Sequence, residues 1–273
     1  MDKMREKVLC GFAEADITPL IPASCELVGF NRFDETARGI LHRLKSQILI
    51  LKSARENSCL ITIDSIGFTT ELTELLRDGV ADKLKTERQK VMVCFSHTHS
   101  APNAAANDNA YFRFVNDKIL GMVDEAYGDL TPVKAAWGIA ENKIGINRRA
   151  GVDTMDNCMG VLKIADEISN RTKILLLHVT AHANVLTSDN YLISADYFGV
   201  ARELLEKEYS CKAMLVQGAA GNVKPRYRQH NADFLEIHPL EAAEIKMDEK
   251  ETRKIFEESM MSLDNMAGKY LHP

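Results

Sequence analysis

Runs of Val, Ile and Leu that end in polar or glycine residues divide much of the chain into short predicted strands. Apolar runs of four to eight residues, bounded by such residues, are typical of buried β-strands. The predicted strands occupy 8–17, 44–51, 59–65, 90–96, 133–140, 158–165, 173–181 and 212–218.

Four longer segments carry apolar residues at spacings of three and four, the period of an amphipathic helix. They occupy 69–87, 110–128, 194–209 and 248–270. The last segment begins with acidic residues, which the N-terminal end of a helix dipole favours. Phe256, Met260, Leu263 and Met266 would lie on one face of this predicted helix. That face is either ordinary core or an interface between copies in a homo-oligomer.

The order of these elements predicts the fold class. Strand, helix and strand alternate over 58–95 and again over 171–217, which favours parallel pairing, whereas 132–179 consists of consecutive strands. We therefore expect an α/β fold with a central mixed β-sheet flanked by helices. No shift in composition marks a second domain, so one domain over 1–273 is expected. Residues 224–247 show no regular period and are predicted to form a long loop.

Composition narrows the classes of partner. The formal net charge is -5 and no cluster of Lys and Arg is present, so a nucleic-acid partner is not expected. No apolar segment is long enough to span a membrane, and the N-terminal residues lack the apolar region of a secretory signal. The six cysteines are scattered without a CxxC pair. We therefore expect a cytoplasmic protein with reduced cysteines.

Polar side chains follow several predicted strands, where open α/β sheets bind their ligands. His97 and His99 follow one strand, in the segment VMVCFSHTHSAPNA. Two imidazoles one residue apart share a face if the strand continues, and neutral imidazole suits Zn²⁺. The alternative is a turn with two hydrogen-bonded histidines. His182 follows another strand and is a better candidate ligand than His178, which falls inside that strand. Asp64 could bind a metal, act as a base, orient a histidine or cap a turn.

Two further polar segments are candidates for substrate contact. Gly218 begins the segment GAAGN, where glycine would allow the backbone to approach a ligand closely, although a plain tight turn fits equally well. The segment IGINRRAG places Arg148 in a turn between strands. An arginine there is either solvated or aimed at a carboxylate, a phosphate or a developing oxyanion.

Taken in order, five stretches resemble the N-terminal domain of the neutral/alkaline (non-lysosomal) ceramidase family. They are GFAEADITP, SHTHSAPNA, INRR, TAHANVLTSDNYLISADYFGVARELLE and VQGAAGNVKP. The resemblance implies an α/β fold with a mixed sheet and zinc-dependent hydrolysis of the amide bond of N-acyl sphingoid lipids. By position, His97 and His182 match zinc histidines, and His99 matches a histidine beside the metal. Arg148 matches an arginine at the substrate end of the site.

The chain departs from this family in two respects. Lys224 stands where the family has its proposed nucleophilic serine, and Asn222 stands at the neighbouring aspartate. A lysine supplies no hydroxyl, so serine-based acyl chemistry at this position is excluded. The remaining zinc ligands of the family come from sequence beyond this chain. Local substitutes would be drawn from His99, Asp64, Asp196, Glu236 and His238.

These observations predict a zinc-dependent hydrolase of an amide or related carbonyl bond that acts on a small molecule. Zinc, or a similar divalent metal, would be held by His97, His182 and a third donor such as His99. The predicted catalytic residues are His99, Arg148, Lys224 and Asp64, and the predicted substrate contacts are Gly218, Asn222 and Arg226. Lys224 and Arg226 would favour an anionic or polar substrate. The alternative is a non-catalytic protein of the same fold that binds a small molecule or a partner.

Overall fold

A computed structural model describes residues 7–30, 32, 35–104 and 110–228 of the chain. The predicted helix over 248–270 and most of the predicted loop over 224–247 lie outside the described residues. In chain order the strands and helices are β1 Val8–Asp16, β2 Gly39–Ile40, β3 Lys45–Lys52, β4 Asn57–Ile63, α1 Thr70–Leu84, β5 Val91–Phe95, α2 Ala110–Gly128, β6 Thr131–Glu141, β7 Gly145–Asn147, β8 Cys158–Asp166, β9 Thr172–Val179, β10 Leu192–Ile193, α3 Asp196–Tyr209, β11 Lys212–Gln217 and β12 Val223–Pro225.

Eight strands form one mixed sheet in the order β11-β9-β8-β6-β1-β3-β4-β5. The pairs β4–β5 and β9–β11 are parallel, as the two strand–helix–strand units predict, and the pairs between them are antiparallel. Two small sheets, β2–β10 and β7–β12, stand apart from it. The predicted α/β fold with a central mixed sheet flanked by helices is confirmed.

The two faces of the large sheet bury different cores. Residues that alternate inward along β3, β4 and β5 pack with α1 and α2 in one cluster, and those of β8, β9 and β11 pack with α3 in a second. A third cluster, on the opposite face, joins β1, β3, β8, β9 and β11 and includes Cys10, Leu49, Ile174 and Met214. The described helices therefore cover one face, while strands pack against strands on the other.

The sheet curls, so that its two edge regions approach each other. The buried Gln47 amide of β3 donates to the Ala213 carbonyl of β11 at 2.9 Å. At the carboxyl ends, the Gln217 amide of β11 reaches the Ser96 carbonyl, just after β5, at 3.5 Å. Strands at opposite ends of the sheet are thereby brought together, and the segments that follow β5, β9 and β11 can contribute to one site.

The cysteines do not form disulfides. All six are free, and Cys10 and Cys59 are buried. Burial raises the pKa of the Cys10 thiol to about 11 and that of Cys59 to about 12, so both stay protonated at neutral pH. These two residues are core side chains rather than nucleophiles.

Gly11 allows α2 to approach β1, because a Cβ there would lie 1.8 Å from the Ala126 carbonyl oxygen. We expect Gly11→Ala to lower the free energy of unfolding by about 1–3 kcal/mol or more, since the contact is with backbone that cannot rotate away. Gly121, on α2, is the control, because its Cβ would meet nothing within 4 Å. Gly121→Ala should stabilise the protein by up to about 1 kcal/mol. Urea denaturation of both variants measures the difference, and equal stabilities would contradict this packing.

Candidate metal centre

Three histidines from two separate segments converge at the curled end of the sheet. The ring centroids of His97 and His182 are 4.8 Å apart, those of His97 and His99 are 5.2 Å apart, and those of His99 and His182 are 5.4 Å apart. One ring nitrogen from each histidine lies within 4.8 Å of the other two. Among the described residues, these three histidines are the one group of at least three His, Cys, Asp or Glu side chains whose ligand atoms lie close enough together to hold a metal ion.

His97 lies two residues beyond the end of β5, in a loop rather than in a continued strand. Its backbone adopts φ +60°, a left-handed conformation that is uncommon for residues other than glycine and is often found at functional sites. The His97 amide donates to the Ser65 carbonyl at 2.9 Å. Its ring Nδ1 lies 2.7 Å from the Ile66 carbonyl oxygen, to which it must be the donor. The proton on Nδ1 leaves the Nε2 lone pair free for a metal.

His182 is oriented by the segment that follows β11. Its amide donates to the Val223 carbonyl at 2.9 Å, and its Nδ1 donates to the Ala220 carbonyl at 2.6 Å. Arg148 Nη2 also lies 3.1 Å from Nδ1. Because one nitrogen cannot donate to a carbonyl and accept from a guanidinium at once, the shorter contact decides the tautomer. Nε2 is again the free nitrogen, and Arg148 lies behind the ring.

His99 lacks the anchor that the other two rings have. Within the described part of the chain, both of its ring nitrogens are buried, and neither makes a hydrogen bond of acceptable distance and angle, although the Gly29 backbone lies beside the ring. Buried polar atoms are nearly always paired, so an unpaired imidazole here indicates a missing partner. Burial, with a smaller effect from His97 and His182, lowers the pKa of His99 to about 4. Burial also lowers the pKa of His182. Both rings are therefore neutral at neutral pH, the form that binds metals.

The wall behind His99 consists of three residues that the sequence reasoning missed. Gly29, at φ +106°, leaves no room for a side chain, because a Cβ would lie 2.6 Å from the His99 ring. The Phe30 ring packs against His99 with centroids 4.8 Å apart. The buried Arg32 donates from Nη2 to the His99 carbonyl at 3.0 Å. A glycine and an aromatic residue in sequence are too common to have indicated this contact.

The two aspartates proposed as substitute ligands have other partners. Asp64 forms a buried ion pair with Arg202 at 2.6 Å and accepts a hydrogen bond from the Lys45 amide. The Asp196 carboxylate accepts hydrogen bonds from three backbone amides, those of Val185, Leu186 and Tyr197. Neither aspartate belongs to the group of converging ligand atoms. Glu236 and His238, the other two candidates, lie outside the described residues.

The small β7–β12 sheet brings the two polar segments together beside His182. Lys224 of β12 pairs with Ile146 of β7, and the Arg148 amide donates to the Asn222 carbonyl at 2.8 Å. Arg148 is exposed, whereas Lys224 and Asn222 are half-buried. Lys224 makes no ion pair or side-chain hydrogen bond within the described part of the chain. Arg148 therefore contacts the candidate ligand His182. Lys224 follows Val223, whose carbonyl accepts a hydrogen bond from the His182 amide.

The remaining sequence candidates have structural contacts. A Cβ at Gly218 would lie 2.2 Å from Thr180 Oγ1 and 2.7 Å from His178 Nε2, so this glycine is required by packing on the end of β9. Arg226 donates from Nε to the Lys143 carbonyl at 3.2 Å. His178 lies in β9, outside the three-histidine group, as its place within the predicted strand suggested.

The residues present fit a divalent metal such as zinc. His97 and His182 each donate a hydrogen bond from Nδ1 to a backbone carbonyl, which leaves Nε2 for a metal. Metal-binding histidines almost always donate such a hydrogen bond from the nitrogen that does not bind the metal. His99 has neutral, unpaired nitrogens in the same group. Three histidines form a known ligand set for catalytic zinc.

Comparisons with known proteins agree with the fold. No protein-family model matches the chain. The crystal structure of neutral ceramidase from Pseudomonas aeruginosa is similar, with a TM-score of 0.69 and 22% sequence identity over 81% of this chain and 40% of that one. A ceramidase complexed with C2 has a TM-score of 0.70 and 22% identity over 81% of this chain and 39% of that one. This chain therefore spans about two fifths of the length of these proteins, and it has a ceramidase-like fold.

Proposed function

We propose that this chain is a metal-dependent hydrolase of an amide or related carbonyl bond, with zinc held by His97, His99 and His182. The observation that carries the proposal is the convergence of one ring nitrogen from each of three histidines within 4.8 Å of one another, two of the rings being oriented by carbonyls and the third having no hydrogen-bond partner among the described residues. The ceramidase-like fold supports an amide as the bond that is cleaved. Zinc in such a site supplies a Lewis acid that polarises the substrate carbonyl.

Arg148 would stabilise the negative charge that develops on the carbonyl oxygen. Its Nη2 lies 3.1 Å from His182 Nδ1, the residue is exposed, and its backbone amide is paired with the Asn222 carbonyl. A donor fixed before the reaction stabilises a developing oxyanion at little cost in reorganisation, and losing one typically costs about 2.7–4 kcal/mol of transition-state stabilisation. Serine-based acyl transfer is excluded at position 224, because this residue is a lysine.

The charges around the site favour an anionic substrate. Histidine ligands bring no negative charge to a metal, and Arg148 and Lys224 carry positive charge beside them. The group of converging ligand atoms contains no carboxylate among the described residues. A divalent cation would add to this positive charge, so a substrate carboxylate or phosphate would be attracted where a neutral lipid would not.

Metal content and activity test the proposal together. Untagged protein, purified without chelator, is expected to contain about one zinc or similar ion per chain. The metal-loaded protein should hydrolyse members of a panel of N-acyl amino acids, neutral N-acyl amines and matching esters, and a chelator should abolish turnover. A chain that stays empty when zinc is supplied would contradict the proposal.

We expect Lys224→Ala to raise KM for anionic amides by about 10-fold while leaving neutral amides unchanged, because it removes a cation near the site that has no ion-pair partner among the described residues. Lys224→Arg is the matched control and should retain the preference. Steady-state kinetics on pairs of carboxylate and carboxamide substrates at low and high salt would measure this effect. Equal losses for both substrates would contradict a role in charge selection.

A non-catalytic binding protein is the second candidate, and Lys224 at the position of the family's proposed serine favours it. A chain that binds zinc tightly but hydrolyses no amide or ester would support this candidate. A single domain over 1–273, a cytoplasmic location and a homo-oligomer stay predictions. Within the residues that the structure describes, no helix is long and apolar enough to cross a membrane.

A further inference from the structure

A buried ion pair lies between helix α3 and the segment that orients His97. Arg202 on α3 and Asp64 at the end of β4 are only 3% and 2% exposed. Arg202 Nη2 donates to Asp64 Oδ2 at 2.6 Å, and Nη1 approaches Oδ1 at 3.4 Å. Two charges removed from water are held at a fixed distance, because separating them inside the protein would be costly.

Asp64 transmits this constraint to His97 through the next two residues. Its amide donates to the Lys45 carbonyl at 3.0 Å, and its Oδ2 accepts from the Lys45 amide at 2.8 Å. The carbonyls of Ser65 and Ile66, the residues that follow, accept from the backbone amide and the ring Nδ1 of His97. The Arg202–Asp64 pair therefore fixes the turn that supplies both contacts of His97.

The beginning of α3 holds the segment of the second ligand. Tyr197 donates from its hydroxyl to the Ala181 carbonyl at 2.7 Å, immediately before His182. Asp196 accepts from the Val185 and Leu186 amides, shortly after His182. One helix thus contacts the supports of His97 and of His182, which follow β4 and β9, the second strand from each end of the sheet order.

We infer that Arg202 is a positioning residue for the metal centre, acting through Asp64 on the orientation of His97. This inference rests on the proposed function, because it concerns the ligand set proposed there. Outer partners that fix the tautomer and orientation of a ligand histidine typically contribute 10- to 100-fold to metal affinity. A pair with a purely structural role would contribute to folding and leave metal affinity unchanged in the folded protein.

The double variant Arg202→Met with Asp64→Asn tests this inference, because it removes both charges and leaves neither one unpaired. The Asp64→Asn change keeps a side-chain oxygen for the Lys45 amide. Leu205→Ala, one turn further along α3, is the control, since Leu205 packs against the core cluster of α3, β9 and β11. Zinc affinity would be measured on folded protein by competition with a chromophoric chelator. We expect the double variant to bind zinc about 10- to 100-fold more weakly and the control to bind as wild type does.

Equal zinc affinity in the double variant and the wild type would overturn the inference and leave the proposed function intact. If the wild type binds no zinc, the proposed function fails, and the inference is decided on metal-free protein. The ¹⁵N spectrum of its histidine side chains reports the tautomer of His97, which should be the Nδ1–H form. Loss of that single form in the double variant supports positioning by Arg202, and an unchanged His97 signal overturns it.

Discussion

Replacing any one of His97, His99 and His182 with alanine is expected to weaken zinc binding by more than about 100-fold. This exceeds the 10- to 100-fold that loss of an outer partner typically costs, because a ligand itself is removed. The three ring nitrogens converge within 4.8 Å, so no single imidazole is peripheral to the group. Titration with zinc against a competing chelator, with metal content after dialysis, measures the effect in each variant.

His99 is the informative member of the three. The resemblance to the ceramidase family places it beside the metal, whereas in the described part of the chain both of its ring nitrogens are buried without a hydrogen-bond partner. If His99 is the third ligand, His99→Ala loses zinc as the other two variants do. If it only moves protons, His99→Ala keeps zinc and loses turnover. The second result would contradict a three-histidine site and would require another donor.

His178→Ala is the matched control, because it removes a histidine from the same strand segment as His182 but from outside the converging group. Zinc affinity should be unchanged in this variant. A comparable loss would mean that the effect of the other substitutions comes from disturbing the end of β9, where His178 packs against Gly218. The comparison therefore separates loss of a ligand from loss of local structure.

Asp64→Ala is expected to lower the free energy of unfolding by about 3–5 kcal/mol, the largest effect on stability predicted for a polar substitution here. The variant leaves Arg202 in a site where it is 3% exposed, with a positive charge and no carboxylate partner. It also removes the acceptor of the Lys45 amide. Urea denaturation of metal-free protein measures this loss without a contribution from zinc binding.

The double variant Arg202→Met with Asp64→Asn should be considerably more stable than Asp64→Ala alone, because no buried charge is left unpaired. The single variants Arg202→Met and Asp64→Asn, the double variant and the wild type form a cycle whose coupling energy isolates the pair. Lys90→Ala, which removes an exposed ion pair with Glu56, is the control and should have little effect. Additive losses for the buried pair would contradict its mutual dependence.

The sequence by itself determined the eight strands of the large sheet, the three described helices and the class of fold, but not the four short strands of the two small sheets. Eight predicted strands and three predicted helices agree with observed elements, because buried strands and amphipathic helices impose local periods of two and 3.6 residues on apolar positions. The two strand–helix–strand units also predicted their parallel pairs correctly. His97, His99 and His182 were recognisable as candidates, since each follows a predicted strand.

The tertiary structure alone decided which polar residues meet. Curling of the sheet brings the end of β11 to the end of β5, although seven pairings separate them in the sheet order. The tertiary structure also pairs Asp64 with Arg202, a residue 138 positions away, and places Gly29 and Phe30 against His99. Contacts of this kind depend on how strands twist and on which charges must be paired once buried, and a local period along the chain carries neither.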